Sequence, residues 1–242
     1  FGNLLQGVPF HFDDTLVSHY SGSFWQLLNP FALLAGVVSS AMITAHGAVY
    51  LAHRTEAQIH TRAVRAAQLA LAALLVAFTL AGAWLVFGIE GYVITSALDP
   101  AALPDPTAKT VERVAGAWLA NYGRAPLTML LPTMVYVAAA LTVVALARGR
   151  TGLAFISSSL VLVGVIGTAG AAMFPFIMPS STHPSSSLTV WDSVSSHLTL
   201  GIMFWATLIF MPLIIAYTSW AYRVMSGKVT AAYVREHEHS AY

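Results

Sequence analysis

Two histidines in apolar surroundings are the residues of this chain that could carry chemistry. His46 lies well inside the first long apolar stretch, and His197 begins the last one. Ionisable groups inside a membrane span are rare and usually functional, so one hypothesis makes His46 a proton relay or an axial haem ligand. In the same hypothesis His197 ligates a haem near the outer surface, together with His46 or Met173. The structural alternative is a neutral His46 hydrogen-bonded to a neighbouring helix and an interfacial His197. The residues favour the structural alternative, because one histidine cannot define a haem site.

A second group of residues follows the fourth apolar stretch. Pro175 and Pro179 predict a stiff exit from the membrane. The Phe and Met residues around them suit either simple packing or the wall of a quinone or acyl-chain pocket, and packing is the favoured interpretation. Asp192 is a candidate helix N-cap, with Ser195 at the capping-box distance.

For the remaining polar and small residues, the sequence favours a structural role over a catalytic one. The tail Arg235-Glu236-His237-Glu238-His239 is expected to be solvated and mobile rather than a metal site. The chain has no GxGxxG, P-loop or HExxH motif and no paired carboxylates within a span. We therefore expect no catalytic residue and no metal ligand here, and the residues identify no cofactor-binding position. Small residues at near-helical spacing predict close contact between helices: Ser157, Ser158, Ser159, Gly164, Gly167 and Gly170.

The composition of the chain sets its class. Of 242 residues, 57% are hydrophobic and 9% are charged, and the mean hydropathy is +0.71. Soluble domains are nearer ~45–50% apolar and ~25% charged, so a soluble domain and a disordered chain are both excluded. A net charge of +1 without a dense basic cluster excludes nucleic-acid binding as the main role. The absence of cysteine excludes disulfides and thiolate ligands. The prediction is an all-α integral membrane protein.

Five apolar runs reach the roughly 20 residues that a membrane-spanning helix needs. We expect a single transmembrane domain over residues 1–242, a helical bundle with long outer loops at 1–29, 89–124 and 177–196. Within the second of these loops, residues 107–122 predict a short surface helix with Val111, Val114, Ala115 and Trp118 on one face. The predicted spans are 31–52, 66–88, 125–147, 152–176 and 197–221.

The distribution of basic residues predicts the orientation. Most of the 11 lysines and arginines fall on one side of the predicted spans, which should be cytoplasmic. The chain then begins outside, ends inside, and lies in a bacterial inner membrane. It opens on Phe1 without a signal peptide, so Phe1 is interpreted as an internal position of a longer protein or as a product of processing. The cytoplasmic group is Arg54, Arg62, Arg65, Arg148, Arg150, Arg223, Lys228 and Arg235.

Several stretches resemble subunit II of the cytochrome bd quinol oxidases, over nearly the whole chain. The most specific is 172–181 (Ala-Met-Phe-Pro-Phe-Ile-Met-Pro-Ser-Ser), followed by 187–192 (Ser-Leu-Thr-Val-Trp-Asp). The residues taken from this resemblance as a structural signature are Phe174, Pro175, Pro179, Ser180, Ser181, Trp191, Asp192 and Ser196. The other matching stretches are 29–36, 46–48, 91–96, 115–119, 195–200, 217–222 and 239–242.

This resemblance implies a role for the chain. Complexes of the family oxidise quinol, reduce dioxygen to water and take protons from the cytoplasm. Haem b and haem d are ligated by subunit I, so this chain would be the non-haem-ligating partner. It would correspond to the C-terminal part of a longer subunit. The same resemblance implies lipid and quinol as partners, with a bound quinone and a small accessory subunit as open alternatives. It also makes His46 and His197 poorer candidates for iron ligands.

Two rival functions stay open: a haem-binding cytochrome subunit using His46 and His197, and a transporter subunit without a redox role.

Overall fold

The structure, a computed structural model, describes residues 1–97, 105–224, 227–228 and 230. In those residues, five helices are long and apolar enough to cross a membrane, which confirms the predicted all-helical membrane fold. Before the first span come α1 (Gly2–Gln6) and a hairpin of β1 (Phe10–Phe12) and β2 (Ser18–Tyr20). The spans are α2 (Pro30–Arg54), α3 (Ala57–Gly88), Pro126–Ala147, α6 (Thr151–Met173) and α7 (His197–Val224).

Short segments connect the spans on one side of the bundle and longer ones on the other. A hairpin of β3 (Glu90–Ile94) and β4 (Val111–Ala115) follows α3, and then comes α4 (Ala120–Arg124). The third span is a 3-10 turn at Pro126–Met129 followed by α5 (Leu130–Ala147). After α6, β5 (Phe176–Met178) pairs with β6 (Leu188–Thr189). We call the end of the bundle with these strands the hairpin side, and the other end the turn side.

Local sequence explains where the spans begin and turn. The Asn29 side chain accepts a hydrogen bond from the Ala32 amide at 2.8 Å, and Pro30 is the first residue of α2, a good helix start. Between α5 and α6, Gly149 has a φ of +70°, which glycine adopts without steric cost. The Arg150 amide then donates to the Ala145 carbonyl at 2.8 Å. Tight turns of this kind make α2 and α3, and likewise α5 and α6, antiparallel neighbours.

Four of the described helices, α2, α3, α5 and α6, form a bundle with two apolar core clusters, one of them near the turn side, whereas α7 stands apart. Many large hydrophobic side chains lie exposed on the outside of the bundle, as expected for helices in lipid. None of the described α7 residues is buried. The cluster farther from the turn side consists of Val38, Met42, Ala45, Leu71, Leu74, Ala77, Val135, Ala138, Ala139 and Val161.

The structure differs from the sequence-based expectations at several span ends and in one outer loop. The helix of the second span begins at Ala57 rather than 66, because hydropathy locates the apolar part of a helix and not its charged extension through Arg62 and Arg65. The fourth helix ends at Met173 rather than 176, since the chain enters β5 at Phe176. The helix predicted for 107–122 is wrong over its first part, whereas its last part is helical, with a 3-10 turn at Ala117–Leu119 followed by α4. Val111–Ala115 pairs with Glu90–Ile94 as a strand, and backbone pairing with a neighbouring segment overrides local helical periodicity.

Two further expectations are not settled by these helices. A single domain over 1–242 stays a prediction. The metal-binding and mobile-tail interpretations of 235–239 lie outside the described residues, as does the matching stretch 239–242.

Candidate functional site

A folded cap closes the hairpin side of the bundle. Segments 1–28, 89–97, 105–125 and 174–196 meet there, because α2 and α5 begin and α3 and α6 end on that side. At its centre the Trp118 side chain is 2% exposed, and its indole Nε1 donates to the Leu5 carbonyl at 3.0 Å. The cap therefore has its own core, formed by Leu5, Phe31, Ile89, Tyr92, Val111, Trp118, Met173 and Phe176.

The signature residues after α6 join the cap to the first residues of the chain. The Pro179 carbonyl accepts from the Val8 amide at 2.8 Å, and the Ser181 amide donates to the Val8 carbonyl at 3.0 Å. Ser180 is fully buried, and its hydroxyl donates to the Phe10 carbonyl. Buried polar groups are tolerated only when they are hydrogen-bonded. Ser180 and Ser181 therefore act here as backbone connectors.

A buried ion pair connects two loops of the cap. The Lys109 ammonium lies 2.5 Å from Asp192 Oδ2, and the two side chains are 2% and 9% exposed. The same carboxylate accepts from the Thr189 amide at 2.6 Å and the Thr189 hydroxyl at 2.8 Å, while Lys109 donates to the Pro106 carbonyl at 2.7 Å. Both charges thus have additional hydrogen-bond partners, as a buried pair requires.

The expectation that Asp192 caps the fifth span is wrong. Asp192 lies five positions before α7 and is used by Lys109 and Thr189. The hydroxyl of Ser196 instead accepts from the Thr199 amide at 3.3 Å, the contact an N-cap makes to the third residue of a helix. Hydrophobic patterning cannot distinguish these two uses of a polar residue before a helix.

A cavity of about 280 Å³, which we call the cap cavity, opens between β3, α4 and the end of α6. Phe174 and Trp191 form one wall, with ring centroids 5.8 Å apart in an edge-to-face arrangement. Tyr92, Trp118 and Arg124 line other parts. Burial raises the pKa of the Tyr92 phenol above its usual value. Of the Phe and Met residues considered as pocket walls, Phe174 and Phe176 line this cavity, and Phe176 and Met173 also pack in the cap core.

The structure places His46 and His197 in different settings. His46 Nδ1 lies 2.9 Å from the Ser158 hydroxyl, and its ring stacks on Phe155 at 4.9 Å, which is the structural interpretation of this residue. His197 is the exposed first residue of α7. Neither histidine lines the cap cavity or a second cavity of about 690 Å³ along α2 and α3. The structure therefore does not bring His46 and His197 to a common cavity among the described residues.

The sequence did not single out two polar features of the cap. One is Lys109, whose partner Asp192 is far away along the chain. The other is a row of imidazoles, in which His11 lies 5.5 Å from His19 and 4.8 Å from His183 between ring centroids. Next to it, hydrogen bonds from Thr15 and His19 hold the pKa of Asp13 well below its usual value. Within the described ranges, no group of three or more His, Cys, Asp or Glu residues is arranged to hold a metal ion.

These features define a class: a multi-pass helical membrane protein in which a four-helix bundle carries a folded polar cap. Residues 1–225 match the family model of cytochrome bd terminal oxidase subunit II. The chain belongs to this family, as its resemblance predicted, and is a multi-pass protein of the bacterial inner membrane.

Individual relatives agree with this assignment. The chain is 48% identical over all of its 242 residues to "Cytochrome bd-I ubiquinol oxidase subunit 2" of Escherichia coli K12. It is 45% identical over the same length to "Probable cytochrome oxidase subunit 2" of Haemophilus influenzae. A Bacillus subtilis relative, "Cytochrome bd ubiquinol oxidase subunit 2", is 24% identical over 95% of the chain and is covered over 58% of its own length. The chain spans 64% of the length of the first two relatives.

Proposed function

We propose that this chain is the non-haem-ligating subunit of a bd-type quinol:oxygen oxidoreductase, in which a separate subunit I ligates haem b and haem d. The proposal rests on membership of the family over residues 1–225. Quinol oxidation, reduction of dioxygen to water and proton uptake from the cytoplasm would then belong to the assembled complex. The chain would contribute through its surface and its cap rather than through a catalytic side chain.

The exposed helix α7 is the observation in the chain that best supports a role in assembly. Its 28 residues bury none of their side chains within the described structure. It is as apolar as the bundle helices. Helix association in membranes depends on packing and interhelical hydrogen bonds. Such a helix is suited to packing against further helices, either of subunit I or of the same polypeptide.

The cap suits a supporting role on the side where the chain is not in lipid. Its buried ion pair and the Ser180 contacts connect the loops after α3 and α6 to residues 8–10. These contacts hold together the segments that precede α2 and that follow α3 and α6. We infer that the cap holds the bundle in the shape that subunit I recognises and keeps water from the helix ends.

A visible difference spectrum of the affinity-purified complex, dithionite-reduced minus oxidised, tests this proposal, with the subunits identified by mass spectrometry. We expect a haem d band in the far red and a larger haem-bearing partner. The variant to compare is Trp191→Ala, which removes part of one wall of the cap cavity. We expect it to lower the yield of complex while leaving the haem midpoint potentials of the assembled fraction unchanged.

Other outcomes would support the rival functions. A lone chain with a b-type spectrum that disappears in His46→Ala would make it a haem-binding subunit. A lone chain without haem that transports solute in vesicles would make it a transporter subunit. Normal yield of Trp191→Ala with shifted haem potentials would contradict the supporting role of the cap.

A further inference from the structure

The cap cavity lies level with the hairpin-side ends of two spans, where headgroups are expected to meet the hydrocarbon. Arg124 stands two residues before the span that begins at Pro126, and Phe174 stands directly after the span that ends at Met173. Trp191 and Phe174 are 46% and 52% exposed. Aromatic side chains are enriched at this interfacial level because their rings suit a boundary between water and hydrocarbon.

Arg124 differs from the other two basic residues of the cap. Lys109 is paired with Asp192, and the Arg113 guanidinium lies 3.4 Å from Glu90. Among the residues that the structure describes, Arg124 has no ion pair and no side-chain hydrogen bond. Its guanidinium is thus an uncompensated positive charge at the edge of an aromatic cavity, and a guanidinium can bind a phosphate through two parallel hydrogen bonds.

We propose that this cavity binds the headgroup of an anionic phospholipid, with its phosphate on Arg124 and its glycerol between Phe174, Trp191 and Trp118. The cavity volume of about 280 Å³ is at the lower limit for small-molecule pockets, so it takes a headgroup and not a whole lipid. The acyl chains would run along the exposed start of the third span, where Leu127 is 80% and Leu130 is 64% exposed.

The apolar surroundings favour a lipid over a free phosphate ion. A free ion would gain the charge of Arg124 but would leave the aromatic walls and the neighbouring leucines without a partner. A lipid satisfies both, because its phosphate and its acyl chains are covalently joined and reach the charged and the apolar surfaces together. This binding site is independent of the role proposed for the subunit.

Lipid retention by the complex purified in a non-ionic detergent tests the proposal. The complex is titrated with phosphatidylglycerol or phosphatidylcholine, and bound lipid is counted by native mass spectrometry. We expect the unmodified complex to retain phosphatidylglycerol in preference to phosphatidylcholine. Arg124→Gln should weaken phosphatidylglycerol retention roughly tenfold, because a charge-assisted contact is lost. Arg124→Lys, which keeps the charge without the planar fork, should be intermediate.

The matched control is Arg148→Gln at the other end of the same span, which should leave retention unchanged. Equal losses in Arg124→Gln and Arg148→Gln would overturn the proposal in favour of general charge attraction. Displacement of the lipid by millimolar inorganic phosphate would identify a free-anion site, and displacement by a water-soluble quinone would identify a quinone site. Thermal stability in detergent without added lipid separates a binding defect from misfolding. A binding defect leaves the unfolding midpoint of Arg124→Gln unchanged, whereas misfolding lowers it. If Arg124→Gln misfolds, lipid retention by Arg124→Lys decides the test.

Discussion

At the scale of single residues, the ion pair of Lys109 and Asp192 is the contact whose loss should matter most. Removing one partner leaves the other charge buried, which costs about 3–5 kcal/mol. We therefore expect Lys109→Met and Asp192→Asn each to lower the thermal unfolding midpoint of the detergent-solubilised protein strongly. The control is Arg113→Gln, since its pair with Glu90 is exposed and such pairs contribute about 0–1 kcal/mol. A Lys109→Met protein as stable as Arg113→Gln would contradict this assignment.

His46 gives a second prediction at this scale. The Ser158 hydroxyl donates to the Phe155 carbonyl at 2.9 Å, so it accepts from His46 Nδ1–H at 2.9 Å. We expect Ser158→Ala to destabilise the bundle by about 0.6 kcal/mol, the average for interhelical hydrogen bonds in membranes. His46→Gln should retain the yield of the complex and the positions of its haem bands. Loss of a b-type band in His46→Gln alone would make His46 an iron ligand instead.

At the scale of elements, glycines set the distance between α5 and α6. A Cβ at Gly164 would lie 2.8 Å from Val135 Cγ2 and 3.0 Å from the Leu131 carbonyl oxygen, whereas a Cβ at Gly170 would meet nothing within 4 Å. We expect Gly164→Ala to destabilise the bundle by about 1–3 kcal/mol, the usual cost of overpacking. Gly170→Ala is the matched control and should be neutral or slightly stabilising. Resistance to heating in detergent, followed by size-exclusion chromatography, measures both variants.

These elements also show what the sequence could and could not predict. The stripe of small residues predicted close helix contact, and Gly164 and Gly167 confirm it, while Gly170 faces open space. The strand Val111–Ala115 was missed because its partner, Glu90–Ile94, lies beyond a loop. Helical periodicity is a local property, but strand pairing and the Lys109–Asp192 contact depend on which loops meet above the bundle. Resemblance identified the structural signature, but the hydrogen bonds of Ser180 and Asp192 depend on segments that are far apart along the chain.

At the scale of the whole molecule, hydropathy alone predicted the five spans because lipid demands long apolar helices with satisfied backbones. It did not predict that four of the described spans would pack together while α7 buries nothing. The five spans have similar mean hydropathy, because helices that face lipid and helices that face a protein partner in the membrane are similarly apolar. Which surface meets lipid and which meets a partner is therefore decided by shape and by small or polar residues, not by mean hydropathy.

Orientation is the last property at this scale, and the absence of cysteine makes it testable. The basic residues Arg54, Arg62, Arg65, Arg148 and Arg150 flank the turn side, which predicts that this side is cytoplasmic. Asp14 and Gln58 are exposed on the hairpin side and the turn side, respectively. A membrane-impermeant maleimide should label Asp14→Cys in intact spheroplasts, and should label Gln58→Cys only after the membrane is permeabilised. The cysteine-free chain is the control for background labelling. The reverse pattern would place the cap and the cap cavity on the cytoplasmic side. The lipid bound in that cavity would then come from the cytoplasmic leaflet.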